Sequence, residues 1–269
     1  MHVTTADKRA TFRKMHESGC FILPNPVDVG SAKALQHLGF KALASSSAGF
    51  AWTIGKADNR VTVEEVCQHL AALCSAVDIP VNADFEGGFA VEPDMVADHV
   101  ERCVRTGVAA LSIEDSSGDK DRPIYERALA VERMAASRKA IGDSNTMLVG
   151  RCEAYLWGVT DLKLVIDRLT AYADAGADCL YAPGLKTRED IAAVVKAVHP
   201  KPFNLLIGAS GLSLKEAEDL GVRRISVGGS LARAAWGGFM RAAKEMAEQG
   251  TFTELAHGYP GGELNRMFS

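Results

Sequence analysis

The feature that most constrains the fold of this 269-residue chain is an eightfold alternation of strand-length apolar runs with longer helical patterns. Alternation of this kind predicts parallel strands. Eight strand–helix units in a chain of this length predict an α/β fold, one closed (β/α)₈ TIM barrel over residues 1–269. The predicted strands are residues 20–23, 42–45, 79–83, 109–113, 147–150, 179–181, 203–207 and 225–227.

Two helical segments flank the predicted barrel. The charged N-terminal segment predicts an amphipathic helix that closes one end, and residues 231–248 predict a long final helix. Inside the barrel, Thr62 followed three residues later by Glu65 is a capping-box pattern that predicts a helix start. The alternative fold is an open doubly wound sheet, which would carry G-x-G-x-x-G after the first strand. This chain instead reads Leu23-Pro24-Asn25-Pro26 there.

Composition and charge exclude several classes of partner. A net charge of −4 gives no basic surface for nucleic acid. No segment approaches the roughly 18 continuous apolar residues of a membrane span, and the N-terminus lacks the apolar core of a signal peptide. The six cysteines have no metal-binding spacing and indicate reduced, buried thiols. We therefore expect a cytoplasmic protein whose partner is a small molecule.

Polar residues collect where consecutive predicted strands end, which is where barrels carry their functional residues. Asp84 and Glu86 follow the third strand, and carboxylates two apart on an extended chain point to the same side. Glu114 follows the fourth strand, and Arg151 and Glu153 follow the fifth. For an isolated Asp-x-Glu motif, helix caps and turns are the competing interpretation. Together, these strand ends predict a site for a metal ion and an anion.

The residue types at these strand ends divide the chemistry. Carboxylate oxygens of Asp84, Glu86 and Glu114 are hard ligands for Mg²⁺, with Mn²⁺ as the alternative ion. Arg151 offers a planar fork for a substrate carboxylate. The second strand ends in Ser45-Ser46-Ser47-Ala48-Gly49, whose small residues let backbone N–H groups approach a ligand oxygen. A metal ion with such donors would stabilise an enolate formed from a 2-oxo acid.

These motifs, in this order and spacing, resemble the isocitrate lyase/phosphoenolpyruvate mutase superfamily over nearly the whole chain. That superfamily includes phosphonomutases, oxaloacetate decarboxylases and methylisocitrate lyases. The motifs that carry the resemblance are Ser45-Ser46-Ser47-Ala48-Gly49, Gly55-Lys56-Ala57-Asp58, Ala83-Asp84-Phe85-Glu86-Gly87-Gly88-Phe89, Ser112-Ile113-Glu114-Asp115 and Gly150-Arg151-Cys152-Glu153-Ala154.

The resemblance implies that a bond is made or broken next to a pyruvate enolate. It implies a Mg²⁺ shell of Asp84, Glu86 and Glu114. The catalytic residues it implies are Asp58 on a mobile loop, Glu114 and Arg151. The substrate-binding residues it implies are Ser46, Ser47, Ala48, Arg151 and Glu153. Members are usually homodimers or homotetramers that exchange their last helix, so we expect the same of residues 231–248.

The loop after the fourth strand departs from the best-known members. Isocitrate and methylisocitrate lyases carry a Lys-Lys-Cys-Gly-His motif there, with the cysteine as acid/base. Residues 115–123 of this chain contain neither cysteine nor histidine, nor the longer Lys-Thr-Asn-type segment of the mutase. Pro183 stands where mutase-like members carry a histidine. Lys120 and Arg122 in this gate loop predict either closure over an anion or a solvated polar turn.

The sequence therefore favours a Mg²⁺-dependent lyase that cleaves or decarboxylates a 2-oxo or 2-hydroxy carboxylic acid through a pyruvate enolate. Asp58, Tyr155 and a bound water are alternative proton donors. Three other functions stay open. One is a phosphonomutase or phosphonopyruvate-type C–P enzyme, including a carboxyphosphonoenolpyruvate mutase-like reaction. The others are a Schiff-base aldolase, for which Lys186 is the nearest lysine, and a non-catalytic barrel that binds a 2-oxo acid.

Two further predictions concern the rim of the barrel. Residues 208–211 and 228–230 are glycine-rich and predict tight turns or a second phosphate site. The pocket for the substrate's side group is predicted to be shaped by aromatic rings, namely Trp52, Phe89, Tyr155, Trp157 and Tyr181.

Overall fold

Eight parallel strands make up the sheet of the computed structural model, which describes residues 3–208 and 211–269. They are β1 (Phe21–Leu23), β2 (Leu43–Ala44), β3 (Val81–Asp84), β4 (Ala110–Glu114), β5 (Met147–Arg151), β6 (Cys179–Tyr181), β7 (Phe203–Leu206) and β8 (Arg224–Ser226). Strands β2 to β8 are neighbours in chain order, and β1 pairs with β8. The N–H of Ala44 donates to Pro24 O at 3.0 Å between β2 and the end of β1, so the sheet closes almost completely. The predicted barrel is confirmed.

Eleven α-helices surround the strands in the described part of the chain. They are α1 (Thr5–Met15), α2 (Val29–His37), α3 (Ser47–Thr53), α4 (Val63–Ala76), α5 (Pro93–Arg105), α6 (Arg127–Ile141), α7 (Leu162–Asp174), α8 (Arg188–Val198), α9 (Leu214–Asp219), α10 (Ser230–Gln249) and α11 (Gly261–Phe268). Two 3₁₀ helices cover Ala154–Trp157 and Thr253–His257. The capping box predicted at Thr62 and Glu65 starts α4.

Helix α3 begins directly after β2, within the serine-rich segment of residues 45–49. Ser46 is its N-cap and accepts a hydrogen bond from Gly49 N at 3.2 Å. The sequence of this segment, rich in serine and glycine, is typical of a loop. The helix is stabilised instead by packing, since Phe50 and Ala51 are buried in the core.

Helix α1 closes the amino-terminal end of the barrel, as predicted. Arg9 donates from its guanidinium to the carbonyls of Val104, Val108 and Ser144, which precede β4 and β5. Phe12 is fully buried and packs with the inward-facing side chains of the strands. The chemistry-bearing strand ends therefore lie at the opposite, open end.

His16 ends α1 and is buried beneath the barrel. Its Nδ1 lies 2.8 Å from Phe12 O, and its Nε2 lies 3.5 Å from Nη1 of Arg224. Burial and the charge of Arg224 lower the pKa of His16 from 6.5 to about 3; Arg13 lowers it further, while Asp178 and the bond to Phe12 raise it. A lowered folded-state pKa gives stability that is present above pH 6.5 and is lost as the pH falls toward 3.

We expect the wild-type protein to lose about 2 kcal/mol more unfolding free energy between pH 7 and pH 5 than the variant His16→Gln. Urea unfolding at the two pH values measures this difference. His37→Gln changes an exposed histidine of α2 and is expected to behave as the wild type. Equal losses in the wild type and in His16→Gln would contradict a buried neutral imidazole.

Helix α10 presents apolar side chains to the exterior, including Leu231, Trp236, Phe239 and Met240. The rings of Trp236 and Phe239 contact each other edge to face, with centroids 5.4 Å apart. A contiguous apolar surface suits contact with another protein surface. Exchange of this helix between subunits stays a prediction. Among the described residues no helix is long and apolar enough to cross a membrane.

Candidate active site

A cavity of about 190 Å³ opens at the carboxyl ends of the strands. It reaches from the rim into the interior of the barrel, because its lining includes residues of the strands themselves. The predicted residues that line it are Ser46, Ser47, Ala48, Asp58, Asp84 and Arg151. A second cavity of about 230 Å³ shares Ser47, Asp58 and Arg151 with the first and adds Glu114 and Glu153. Eight of the predicted site residues thus meet at these two cavities.

Arg151 is the centre of this arrangement. Its Nη1 lies 3.1 Å from Oδ1 of Asp84 and 3.3 Å from Oε2 of Glu114, and its Nε donates to Oε1 of Glu153 at 2.5 Å. The guanidinium also lies over the ring of Tyr181, 5.1 Å from the centroid. The predicted carboxylates of three strand ends therefore converge on one arginine.

The charges around Arg151 do not balance. One guanidinium faces three ionisable carboxyl groups, those of Asp84, Glu114 and Glu153. Burial alone would lower the pKa of Arg151, but the surrounding carboxylates outweigh it and hold the pKa well above its ordinary value. Burial raises the pKa of Glu114 well above the ordinary value, and it raises that of Glu153 too, against the opposing effect of Arg151. A fully ionised site would carry two negative charges in excess.

Backbone and hydroxyl groups of the serine segment hold Asp84. The N–H of Ser47 donates to Oδ2 of Asp84 at 3.1 Å, and the N–H of Asp84 donates to Oγ of Ser45 at 2.8 Å. Ala48, the second residue of α3, lines the cavity next to Ser46 and Ser47. Ser45 and Ser47 therefore hold Asp84 directly, and Ser46 and Ala48 line the ligand space.

Glu86 lies in the turn that follows β3, and its φ is positive at 46°. It lines neither of the two cavities. Burial, together with the charges of Asp84 and Asp58, raises the pKa of Glu86 to about 8. Its Oε1 is buried and accepts no hydrogen bond from the part of the chain that is described. A buried carboxylate oxygen without a donor is costly, so this group suits a cation.

Arg133 supports the Glu86 turn and was not predicted. It is 1% exposed, and its guanidinium donates to the carbonyls of Gly87, Ala90 and Val91. It also lies over the ring of Tyr125, 4.3 Å from the centroid. Arginine in a helix is mostly exposed, so its place in α6 gave no signal of this role.

Asp115 supports the Glu153 side of the site. Its Oδ1 accepts from the N–H of Glu153 at 2.8 Å, and its Oδ2 accepts from Arg168 at 3.1 Å and from the hydroxyl of Tyr172 at 2.6 Å. Asp115 and Arg168 are both buried. The sequence offered one signal for Asp115, since it adjoins Glu114 at the end of the fourth strand.

Asp58 lines both cavities. Desolvation and the neighbouring charge of Asp84 raise its pKa, and a hydrogen bond from Ser47 opposes the shift. The predicted catalytic position of Asp58 is therefore next to the ligand space. Tyr155, the other candidate proton donor, lines neither of the two cavities.

The gate loop is held by contacts between its own residues. The N–H of Ser117 donates to Pro123 O at 3.0 Å, and Arg122 lies 3.8 Å from Asp119. Lys120 and Arg122 are exposed and line neither cavity. Trp157 connects to this loop, because its Nε1 donates to Oγ of Ser116 at 3.1 Å. The structure thus shows Lys120 and Arg122 in a solvated turn, outside the site.

The remaining predicted residues are spread around the rim. Tyr181 lines the first cavity and Trp157 the second, while half-buried Trp52 lines a separate cavity together with Trp236. Phe89 and Tyr155 border neither cavity. Lys186 is exposed and faces a separate cavity. The glycine-rich segments 208–211 and 228–230 adjoin that cavity too, although residues 209 and 210 lie outside the described part of the chain.

The donor set suits a hard divalent cation such as Mg²⁺ or Mn²⁺. It offers the carboxylates of Asp84, Glu86 and Glu114, an excess of negative charge and the unpaired Oε1 of Glu86. As the side chains stand, no three histidine, cysteine or acidic groups within residues 3–208 and 211–269 are grouped to hold a metal ion. Arg151 instead contacts Asp84 and Glu114. Binding of an ion therefore requires these side chains to move.

Both the sequence and the fold of this chain are similar to those of known proteins. The family model described as phosphoenolpyruvate phosphomutase matches residues 12–247. A crystal structure from Burkholderia cenocepacia J2315, described only by the broad class lyase/mutase, is 46% identical with a TM-score of 0.94, covering 98% of this chain and 96% of that chain. The crystal structure of 2,3-dimethylmalate lyase is 26% identical with a TM-score of 0.87, covering 99% and 95%. An oxaloacetate decarboxylase from Paraburkholderia xenovorans is 28% identical, covering 82% and 75%.

Proposed function

The chain belongs to the phosphoenolpyruvate mutase family of the isocitrate lyase/phosphoenolpyruvate mutase superfamily, and on that premise we propose that it is a metal-dependent lyase of 2-oxo or 2-hydroxy carboxylic acids. The reaction proposed is C–C cleavage or decarboxylation through a pyruvate enolate. One observation carries the proposal: three carboxyl groups surround Arg151 at the cavity, more than its single charge balances when they are ionised. Similarity to a 2,3-dimethylmalate lyase and an oxaloacetate decarboxylase supports the reaction class.

The protein's own groups have defined tasks in this proposal. Asp84, Glu86 and Glu114 would hold Mg²⁺ or Mn²⁺, which supplies electrophilic stabilisation of the developing enolate oxygen when bound. The N–H of Ala48 offers a hydrogen bond to a substrate oxygen. Arg151, released from part of its carboxylate shell, binds a substrate carboxylate through its planar fork. Asp58 lines both cavities and has a raised pKa, which suits it to proton transfer to the enolate carbon.

Pyruvate release from oxaloacetate tests this proposal. With Mg²⁺ present, we expect the purified protein to form pyruvate from oxaloacetate or from a substituted malate faster than Mg²⁺ alone. A chelator is expected to stop the reaction, because the carboxylates then lack the cation that balances their charge. Lack of turnover across a panel of 2-oxo and 2-hydroxy diacids, with metal binding shown by calorimetry, would contradict the proposal.

Carbon–phosphorus chemistry is the second candidate, since the matching family model is described as phosphoenolpyruvate phosphomutase. The composition of the site argues against it. Pro183 stands at the end of β6, and no histidine lines either of the two cavities within the described residues. Phosphorus NMR after incubation with phosphonopyruvate and Mg²⁺ separates the two reactions. A non-catalytic 2-oxo acid-binding barrel would show ligand binding without product in both assays.

A further inference from the structure

The floor of the cavity contains a buried arginine with no acidic partner in residues 3–208 and 211–269. Arg224 is 2% exposed and lines the cavity from β8. Its Nε donates to Oδ1 of Asn204 at 2.9 Å, and its Nη1 donates to Oδ1 of Asn82 at 3.1 Å. Two further neighbours carry no charge: burial holds His16 neutral, and the ring centroid of Phe12 lies 5.9 Å from the guanidinium carbon. Arg224 forms no ion pair with a carboxylate among the described residues. Its Nη2 donates no hydrogen bond to any described residue.

This environment leaves a full positive charge inside the barrel. Side-chain amides satisfy hydrogen bonds but supply no opposite charge. An ion taken out of water costs several kcal/mol unless an opposite charge accompanies it. The other buried arginines near the site have either a carboxylate partner or several backbone carbonyl partners. Arg151 and Arg168 have carboxylate partners, and Arg133 binds three backbone carbonyls.

Small side chains leave room next to Arg224. The interior of such a barrel is normally filled by layers of bulky branched residues. Here Ala44, Ser112 and Ser226 line the cavity instead, and Asn204 donates to Oγ of Ser226 at 3.0 Å. The result is a hollow in which hydroxyl, amide and guanidinium groups stand beside Leu23, Leu206 and Tyr181, and which also reaches Asp84 and Arg151.

We propose that Arg224 forms an anion subsite at the floor of the cavity, which binds the carboxylate of a small aliphatic acid without a metal ion. For the proposed lyase, the occupant is the second carboxylate of a dicarboxylic substrate whose 2-oxo end reacts at the rim. Charge favours this orientation, because Arg151 is assigned the carboxylate of the 2-oxo end and Arg224 offers a positive charge for the second carboxylate below. This second statement rests on the proposed function.

Calorimetric titration with malonate, in EDTA and without turnover, tests the subsite. We expect one malonate to bind per wild-type chain and Arg224→Gln to weaken binding at least tenfold. Arg223→Gln is the matched control, because Arg223 precedes Arg224 and its side chain donates to Gly19 O rather than lining the cavity. Equal malonate affinity in the wild type and in a folded Arg224→Gln, or no binding to the wild type, would overturn the proposal.

If Arg224→Gln does not fold, a second variant and a second measurement still test the subsite. Arg224→Lys keeps the charge and is expected to bind malonate more weakly than the wild type and more strongly than Arg224→Gln. In crystals soaked with malonate we expect a carboxylate within hydrogen-bond distance of the Arg224 guanidinium, and malonate found only elsewhere would overturn the subsite. Since neither test needs a metal ion or a reaction, lack of lyase activity leaves their result intact. Conversely, lyase activity in a protein that does not bind malonate would contradict the subsite and leave the proposed function standing.

Discussion

Replacement of Asp84 by asparagine is expected to lower kcat/KM for the 2-oxo acid substrate by about a thousandfold, which corresponds to about 4 kcal/mol of transition-state stabilisation. Asp84 is where the parts of the site meet, since it contacts Arg151 through Oδ1 and the N–H of Ser47 through Oδ2. Asparagine keeps the shape and one acceptor oxygen but removes the charge. The proposed divalent cation then loses a ligand, and Arg151 loses a partner.

The matched control for this variant is Asp98→Asn, which removes an exposed carboxylate on the surface of α5. It is expected to retain wild-type kcat/KM. Circular dichroism and the thermal midpoint establish that both variants are folded. Retention of most activity by a folded Asp84→Asn protein would show that the chemistry takes place elsewhere.

Replacement of Arg151 by methionine is expected to lower the free energy of unfolding by about 3–5 kcal/mol in the metal-free protein. The guanidinium is the only cation in contact with Asp84, Glu114 and Glu153 within the described residues. Without it, burial and mutual repulsion act unopposed on Glu114 and Glu153, so the pKa values of these two groups rise further. A carboxyl group with a raised folded-state pKa destabilises the protein as the pH rises, so the loss is expected to be larger at pH 8 than at pH 6.

Urea unfolding in EDTA at both pH values measures the Arg151→Met effect. Arg241→Met is the control, because Arg241 lies 3.6 Å from Glu254 in an exposed ion pair, which contributes little. Its cost is expected to stay within about 0.5 kcal/mol at either pH. Arg151→Lys is expected to fall between the two, because it keeps a charge without the planar fork. An Arg151→Met protein as stable as the control would contradict the account of the charges around Arg151.

Strand-end reasoning located Asp84, Glu114 and Arg151 because it needs only the strand count and the rule that barrel sites lie at carboxyl ends. These three residues do meet in space. Glu86 shows where the reasoning fails. Its predicted orientation assumed an extended chain, but β3 ends at Asp84 and Glu86 has a φ of 46°. Its carboxylate comes near Asp84 through a turn rather than through strand alternation.

The sequence did not predict the buried arginines that hold the loops around the site, and the reason is different. Arg133 and Arg168 occur on helices, where arginine ordinarily faces water. Their acceptors are loop carbonyls and a carboxylate from β-strand ends more than 40 residues away in the chain. Arg224 was equally hidden, although strand alternation gives one clue: it precedes the inward-facing Ser226 by two residues. Only the packed barrel shows that its charge has no carboxylate partner in the described chain.

The central claim is that this barrel stabilises the enolate of a 2-oxo acid at Asp84 and its neighbours. Exchange of the methyl protons of pyruvate in D₂O, followed by proton NMR with Mg²⁺ present, tests it independently of the natural substrate. We predict that the wild-type protein incorporates deuterium well above the rate of Mg²⁺ alone, and that a chelator or Asp84→Asn abolishes the effect. Pyruvate that binds, as calorimetry would show, yet exchanges no faster than in the Mg²⁺ control would contradict the claim.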